Sequence, residues 1–482
     1  MQELTRCVAI KLYDFRTIGR GTDGLIKLTL GGMELISEGL RTLLLALEVL
    51  RPALTEPGFR NLVVIFAGWV QTSGTHAITE ALVVTDVARR LHHERFHRFF
   101  SRGTWKPDEF GRLLYLWLVN FLPPDAPIRA AIDDTLAPKK GPAVFGLGTH
   151  LDAVRSTKTH KVLAFGHCWV TLAILIPLPF SSRPWALPIL FRLYRNEKEC
   201  TKNGHQFKKK TELAREMLDI LVSWAGERTI ELAADNAYCN DTVLHGLSLN
   251  VTLFGSMRPD AVLTAPPSKK KRKRGGRPSL RGHLLPKPAE LANNKSPWLT
   301  CKAFLYGQEK TVYYKELVAQ WYRASGTRLL RIVVVRTDAG KIGYRVFFCT
   351  NPNFTAVQIL ETYAGRWAIE VCFRELKQLL GFADSSARKR AAVERTAPFV
   401  GYVYSTLVLW FTAGVYKTKL ATPPIRPWYT HKTGYAFADV LRAAQRVLIH
   451  VDVLDLASSL ANLAETDTPD CAPSAGRLKR TG

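Results

Sequence analysis

The chain alternates between stretches whose apolar residues repeat every three to four positions and stretches that run continuously apolar, and the changes divide it. Residues 1–125 read as mostly helical, with apolar residues at helical spacing over 35–50, 77–90 and 95–122. From Pro127 the texture changes. Residues 130–135, 162–178, 189–194 and 229–235 predict buried strands rich in Val, Ile, Leu and Trp, and 208–224 predicts an amphipathic helix. The first of these runs ends in Asp133 and Asp134, the last in Asp235. Strands followed by helices predict an α/β layer architecture. Residues 245–352 predict a β-rich segment, with runs at 311–314, 329–335 and 344–349 and a turn at 338–340. Thr355-Ala-Val-Gln358 fits a capping box opening a helix that Gly381 ends. Helical stretches follow at 399–410 and 428–447. The last residues, about fifteen and rich in Thr, Pro and Ser, predict a disordered tail.

The helix after Thr355 carries the most chemistry. Tyr363, Arg366, Glu370 and Lys377 stand at offsets 0, 3, 7 and 14, within an arc of roughly 60° at about 100° per residue. Gly365, Ala368, Ile369, Cys372, Leu376 and Leu379 form the opposite, apolar stripe. One face therefore binds the protein, and the other presents a tyrosine, two cations and a carboxylate together. That mixture suits gripping phosphates while holding a metal ion. A break at Gly365 would spoil the angular argument for Tyr363 but not for the other three.

Composition narrows the partner. With 482 residues there is chain enough for two or three domains. A total of 67 Lys and Arg against 41 Asp and Glu leaves a net charge of +26, an excess that favours a polyanion through neutralised phosphates and released counterions. Residues 268–283 hold eight Lys or Arg, among them Lys271, Arg272, Arg274 and Arg277, in a run that cannot pack and reads as a flexible loop on a DNA backbone or minor groove. Arg89, Arg90, His92, His93, Arg95 and His97 cluster at a helical junction, either on DNA or as a solvated helix end. The eight scattered cysteines include no C-x-x-C pair, which argues against a zinc ribbon or a disulfide framework and suits a reducing cytoplasm. No signal peptide is evident, and the most hydrophobic run, 169–180, is too short for a bilayer and broken by Pro177 and Pro179. No membrane partner is expected.

The carboxylates supply a reaction class. An aspartate at a strand end is commonly a turn former or cap. Strand-end aspartates combined with a helical glutamate can instead surround two Mg²⁺ ions with oxygen ligands, and such a pair stabilises both attacking and leaving oxygens in displacement at phosphorus. No G-x-x-x-x-G-K-[ST] loop is present, so no nucleotide cofactor is expected.

The pattern Tyr-x2-Arg-x3-Glu-x6-Lys, complete at Tyr363, Arg366, Glu370 and Lys377, resembles the signature of the DDE insertion-sequence transposases that carry a Tyr-Arg-Glu-Lys motif. Ile132-Asp-Asp-Thr135 with Lys139-Lys140-Gly141, Ala234-Asp235-Asn-Ala-Tyr238, and Thr350-Asn-Pro352 look like the same family, over roughly residues 60–450. The resemblance implies a ribonuclease-H-like core in two parts, 126–244 and 353–395, interrupted by the β-rich insertion at 245–352. A helical, DNA-binding N-terminal region at 1–125 and a helical C-terminal region at 396–482 would flank it. It implies Asp134, Asp235 and Glu370 as the catalytic, metal-binding triad, with Asp133 the rival for the first place. Two Mg²⁺ ions, or Mn²⁺, would be the cofactors. Tyr363, Arg366 and Lys377 would hold phosphates, and Trp298 or Trp321 would stack on a flipped base. The implied activity is cleavage of double-stranded DNA at an element's terminal inverted repeats and joining to target DNA, by a homodimer in the bacterial cytoplasm at the nucleoid. Two other readings are a decayed, DNA-binding derivative and a metal-dependent nuclease that cuts without joining.

Overall fold

The computed structural model of the chain describes residues 31–458 apart from 142, 153–154, 158, 268–278, 338–342, 429–433 and 450. The predicted turn at 338–340 and the C-terminal tail therefore lie outside the described residues.

Helices come first: α1 (Gly31–Glu48), α2 (Glu56–Gln71), α3 (Ile78–Val84), α4 (Glu94–Ser101) and α5 (Pro107–Leu118). The sequence pattern missed α2 for a physical reason. Phe59 and every residue from Leu62 to Val70 are buried, so the helix has no polar face to give a stripe. Thr55 caps it, accepting from Gly58 N–H at 3.3 Å. The expected helix over 95–122 is two helices, because the chain turns at Gly103, where a Cβ would lie 2.4 Å from the Phe99 carbonyl oxygen. The helix expected over 77–90 likewise ends at Val84.

The sheet elements follow as β1 (Ile128–Pro138), β2 (Gly148–Leu151), β3 (Leu163–Ile176) and β4 (Trp185–Tyr194), then α6 (Glu197–Lys202), α7 (Lys210–Ala225), β5 (Ile230–Ala234), α8 (Asp241–Leu244) and β6 (Val251–Ser256). Strand β1 is central. It runs antiparallel to β3, with Asp134 opposite Val170, and parallel to β5, with Ile132 opposite Ala234. Strand β6 continues the parallel order beyond β5. The carboxylates Asp133 and Asp134 do not end their strand, as the short apolar run predicted. They sit in its middle, because β3 keeps pairing as far as Pro138 opposite Gly166. The strands carrying the aspartates are immediate neighbours, which is the arrangement a ribonuclease-H-like core requires.

The intervening segment contains β7 (Leu263–Thr264), β8 (Leu284–Leu285), α9 (Pro288–Asn293), β9 (Leu299–Leu305), β10 (Gln308–Gln320), α10 (Tyr322–Ser325), β11 (Leu329–Thr337) and β12 (Arg345–Cys349). Its strands extend the core sheet through an antiparallel β12–β6 pairing, so the insertion shares the core's backbone hydrogen bonds. The chain closes with α11 (Ala356–Gly365), α12 (Trp367–Leu379), α13 (Arg390–Thr412) and α14 (Phe437–Leu448). Trp428, expected in a helix, lies in a turn after Pro423, Pro424 and Pro427, residues that cannot continue one. Helices α13 and α14 pack against α1, and α14 also against α2, so these four helices form one helical body. Arg192 of β4 donates to both Asp108 oxygens, at 2.8 and 2.7 Å, and ties α5 to the sheet.

Two predictions follow from this packing. A Cβ on Gly111 would meet the Ile189 carbonyl oxygen of β4 at 1.9 Å, with backbone on both sides. Gly111→Ala gains about 1 kcal/mol of helix propensity but forces α5 off the sheet, a strain of about 1–3 kcal/mol, so urea denaturation should show a net loss of stability. The second concerns His167, 5% exposed, whose Nε2–H donates to the Phe145 carbonyl at 2.8 Å. Burial pushes its pKa down to about 4, against the pull of that bond. The folded state thus binds fewer protons than the unfolded state between pH 4 and 6.5, and stability is lost as pH falls through that window. The loss amounts to roughly 3 kcal/mol at 1.36 kcal/mol per pKa unit. The slope of stability against pH between 6.5 and 4 should be shallower in His167→Gln than in the wild type.

Candidate active site

The predicted helix runs in two pieces. Helix α11 opens with the expected capping box, Gln358 N–H donating to Thr355 Oγ1 at 3.3 Å and Thr355 N–H to Gln358 Oε1 at 2.9 Å. The joint with α12 is Arg366, which keeps helical angles (φ −53°, ψ −32°). Bonds three residues apart tighten the chain there: Arg366 N–H to Tyr363 O and Ile369 N–H to Arg366 O, both 3.0 Å. Ile369, Cys372 and Leu376 are fully buried, so the apolar stripe of α12 packs as the spacing required.

Arg366 lies where β1 meets α12. Its Nη1 donates to Asp133 Oδ2 and its Nη2 to Glu370 Oε1, each at 2.6 Å. All three side chains are largely withdrawn from solvent, Arg366 at 12% exposure. Burial raises the Asp133 carboxyl to about 6, opposed by the guanidinium and reinforced by Asp134 and Glu370. Burial alone would weaken the hold of Arg366 on its proton, but the Asp133 and Glu370 carboxylates outweigh it.

Asp235 approaches from β5. Ile132 pairs with Ala234 in parallel register, so Asp133 and Asp235 come next on adjacent strands. Asp235 remains extended (φ −71°, ψ 163°), which keeps it on the Asp133 side of the sheet. Asp235 and Arg366 both act on the buried Cys239 thiol, which burial raises beyond the usual range, and both act on Tyr363. The Ser256 hydroxyl, at the end of β6, stands 3.5 Å from Asp235 Oδ1 and hydrogen-bonds Tyr363. The Tyr363 ring packs on Phe347 with centroids 4.8 Å apart and lies 5.8 Å from the Arg366 guanidinium carbon.

Asp134 is on the other side. Its carboxylate accepts from Lys210 Nζ at 2.7 Å, Tyr238 OH at 2.6 Å and Cys168 Sγ at 3.3 Å. Successive strand residues face opposite ways, and the structure gathers Asp133, not Asp134, with Arg366 and Glu370. Lys377 is exposed two turns beyond Glu370, within electrostatic reach of Asp152 and Cys168.

The remaining expectations are distributed as follows. The ring of Trp298 has two cations over it, Lys315 Nζ at 4.8 Å and the Arg336 guanidinium at 4.4 Å, so its π-faces are engaged within the insertion. Trp321 packs edge-on against Phe348. Lys271, Arg272, Arg274 and Arg277 lie outside the described residues. At the basic junction, Arg90 pairs with Asp452, Arg98 with Glu94 at 2.9 Å, and His92 stacks on His93. Sequence reasoning did not single out Ser256, Lys210 or Cys168. Tyr238 stood in a quoted motif, but without a role.

The donor set can be tested against the implied metal. Two carboxylate oxygens converge on one guanidinium, and a third carboxylate sits on the next strand. An all-oxygen set of this kind suits Mg²⁺ or Mn²⁺. Among the described residues no three His, Cys, Asp or Glu side chains yet stand close enough to hold an ion, and Arg366 bridges Asp133 and Glu370 instead. The chemistry fits, with Arg366 required to move aside. No described helix is long and apolar enough to cross a membrane.

Residues 50–320 match the family described as DDE superfamily endonuclease, and residues 308–413 match the archaeal transposase family ISC1217. No curated protein matches the chain. The first match spans more than half of the sequence and takes in β1 and β5, while the second takes in α12 with Arg366 and Glu370. The chain belongs to the DDE superfamily of endonucleases, as a transposase-type nuclease with a ribonuclease-H-like α/β fold.

Proposed function

We propose that the protein is a transposase that cuts phosphodiesters at the ends of a DNA element and joins the freed ends to target DNA. The observation that carries this reading is the convergence of Asp133 and Glu370, from β1 and α12, on one guanidinium at 2.6 Å each, beside the strand that ends in Asp235. The carboxylates that would hold the ions are Asp133, Asp235 and Glu370, which replaces Asp134 with its neighbour. When bound, two Mg²⁺ ions would supply Lewis-acid activation of the attacking oxygen and charge stabilisation of the leaving one.

The chain's own residues do the rest. Arg366 releases its two carboxylates and becomes a donor for a phosphate, a task its planar fork suits. Tyr363, held by Ser256 and backed by Phe347, places its hydroxyl on the same side. Lys377 adds a mobile positive charge along the DNA. In the first step water attacks phosphorus and the 3′-oxygen leaves, giving a 3′-hydroxyl and a 5′-phosphate. In the second that hydroxyl attacks a target phosphodiester, whose own 3′-oxygen leaves. One phosphodiester is exchanged for another, so no nucleotide triphosphate is consumed. The net charge of +26 supports a DNA partner, and two ends joined together would require a dimer.

With labelled element ends and Mg²⁺, Asp133→Asn and Glu370→Gln should each lower cleavage by at least about a thousandfold, the scale on which an essential group of a catalytic constellation acts. Cleavage by either variant at the wild-type rate would refute the site. Replacing Lys271, Arg272, Arg274 and Arg277 together with Gln should reduce the slope of log affinity against log salt by about 3–4. An unchanged slope would remove that run from the DNA-binding surface.

A further inference from the structure

Asp134 is too well coordinated to be a bystander. Its two oxygens take a tyrosine hydroxyl, a lysine ammonium and a thiol, and its own backbone N–H donates to Asp133 Oδ1 at 2.8 Å. Each partner belongs to a different element. Lys210 opens α7, Cys168 lies on β3, and Tyr238 closes the short helical turn Asn236–Tyr238. That turn starts immediately after Asp235, and Tyr238 N–H donates to the Asp235 carbonyl at 2.9 Å. The bond from Tyr238 to Asp134 therefore ties the chain that follows Asp235 back to β1, one residue from Asp133.

The electrostatics reinforce the tie. Burial and the Asp134 charge both raise the Tyr238 phenol far above its usual range, so it stays a donor. Burial and Asp134 push the Cys168 thiol up to about 12, which keeps its proton on sulfur. Burial would loosen the Lys210 proton, but the Asp134 carboxylate 2.7 Å away outweighs it, so the ammonium stays charged. Tyr238 is buried, and a phenol there without Asp134 would be left unsatisfied.

We infer that Asp134 is a positioning residue. With Tyr238 and Lys210 it forms a brace on the far face of the sheet that fixes the spacing of Asp133 and Asp235 on the near face. The two adjacent aspartates then have separate tasks, one for the ions and one for the geometry. This inference rests on Asp133, Asp235 and Glu370 being the ion-binding carboxylates.

The test uses the full chain and Mn²⁺ alone as the probe, with bound metal read by electron paramagnetic resonance and folding checked by thermal melting. Tyr238→Phe keeps the ring and removes only the hydroxyl. It should weaken Mn²⁺ binding by about tenfold, as loss of a supporting hydrogen bond behind a metal ligand does. In cleavage assays it should lower kcat at limiting Mn²⁺ with KM for element-end DNA unchanged, and excess Mn²⁺ should restore the rate. Asp134→Asn should behave similarly, whereas Asp133→Asn should lose binding and not be rescued. Wild-type Mn²⁺ affinity in Tyr238→Phe would overturn the brace while leaving the site intact. Loss in Asp134→Asn as complete and unrescued as in Asp133→Asn would make Asp134 itself a ligand and overturn the proposal. Wild-type Mn²⁺ binding by Asp133→Asn would instead bring down the site on which the brace rests.

Discussion

Neighbouring residues of an extended strand point to opposite faces of its sheet, and at Asp133 and Asp134 this rule separates two carboxylates into two layers. Strand β1 has partners on both edges, α12 packs against it, and Lys210 of α7 reaches Asp134, so both side chains are largely enclosed. A buried carboxylate is stabilised by a cation beside it, and each of the two has one. Arg366 answers Asp133 on the α12 side, and Lys210 answers Asp134 on the α7 side. Placement of the two helices, and of the residues they bring, follows from satisfying that pair.

Arg366 holds the site together in this state. It neutralises two carboxylates that would otherwise repel across a poorly solvated gap, and it does so from the joint between α11 and α12. Tightened three-residue bonds on either side of Arg366 leave the joint less regular than a helix interior, a suitable place for a side chain that, in the proposed mechanism, would let go of its partners. In the proposed mechanism the same guanidinium would then meet the phosphate, so one residue would serve both the empty and the loaded site.

Much of this was legible in the residues. The capping box at Thr355, the apolar stripe of α12 and the strand runs of the core and of the long β-rich segment follow from spacing and composition, because periodicity reports burial directly, while Tyr363 stands in α11, across the joint from Glu370 and Lys377. What failed to show did so for local reasons. Helix α2 has no polar stripe because it is buried all round, and the ends of 77–90 and 95–122 were set by tertiary turns that periodicity does not see. The aspartates looked like strand ends because Asp133-Asp134-Thr135 interrupts the apolar run and Pro138-Lys139-Lys140-Gly141 reads as a turn, although pairing with β3 carries β1 on to Pro138. The choice between Asp133 and Asp134 depends on which face α12 covers, a fact about packing 233 residues downstream rather than about the doublet itself. Ser256 stayed hidden because nothing in its own neighbourhood marks a strand end that two other segments converge upon.

The central claim is that the ions sit on the face of Asp133. Crystals of the protein soaked in Mn²⁺ and measured at the manganese absorption edge would locate them directly. Anomalous density is expected among Asp133, Asp235 and Glu370, with Arg366 displaced and Asp134 still held by Lys210 and Tyr238. Density coordinated by Asp134 on the α7 side, with Arg366 still bridging Asp133 and Glu370, would contradict it.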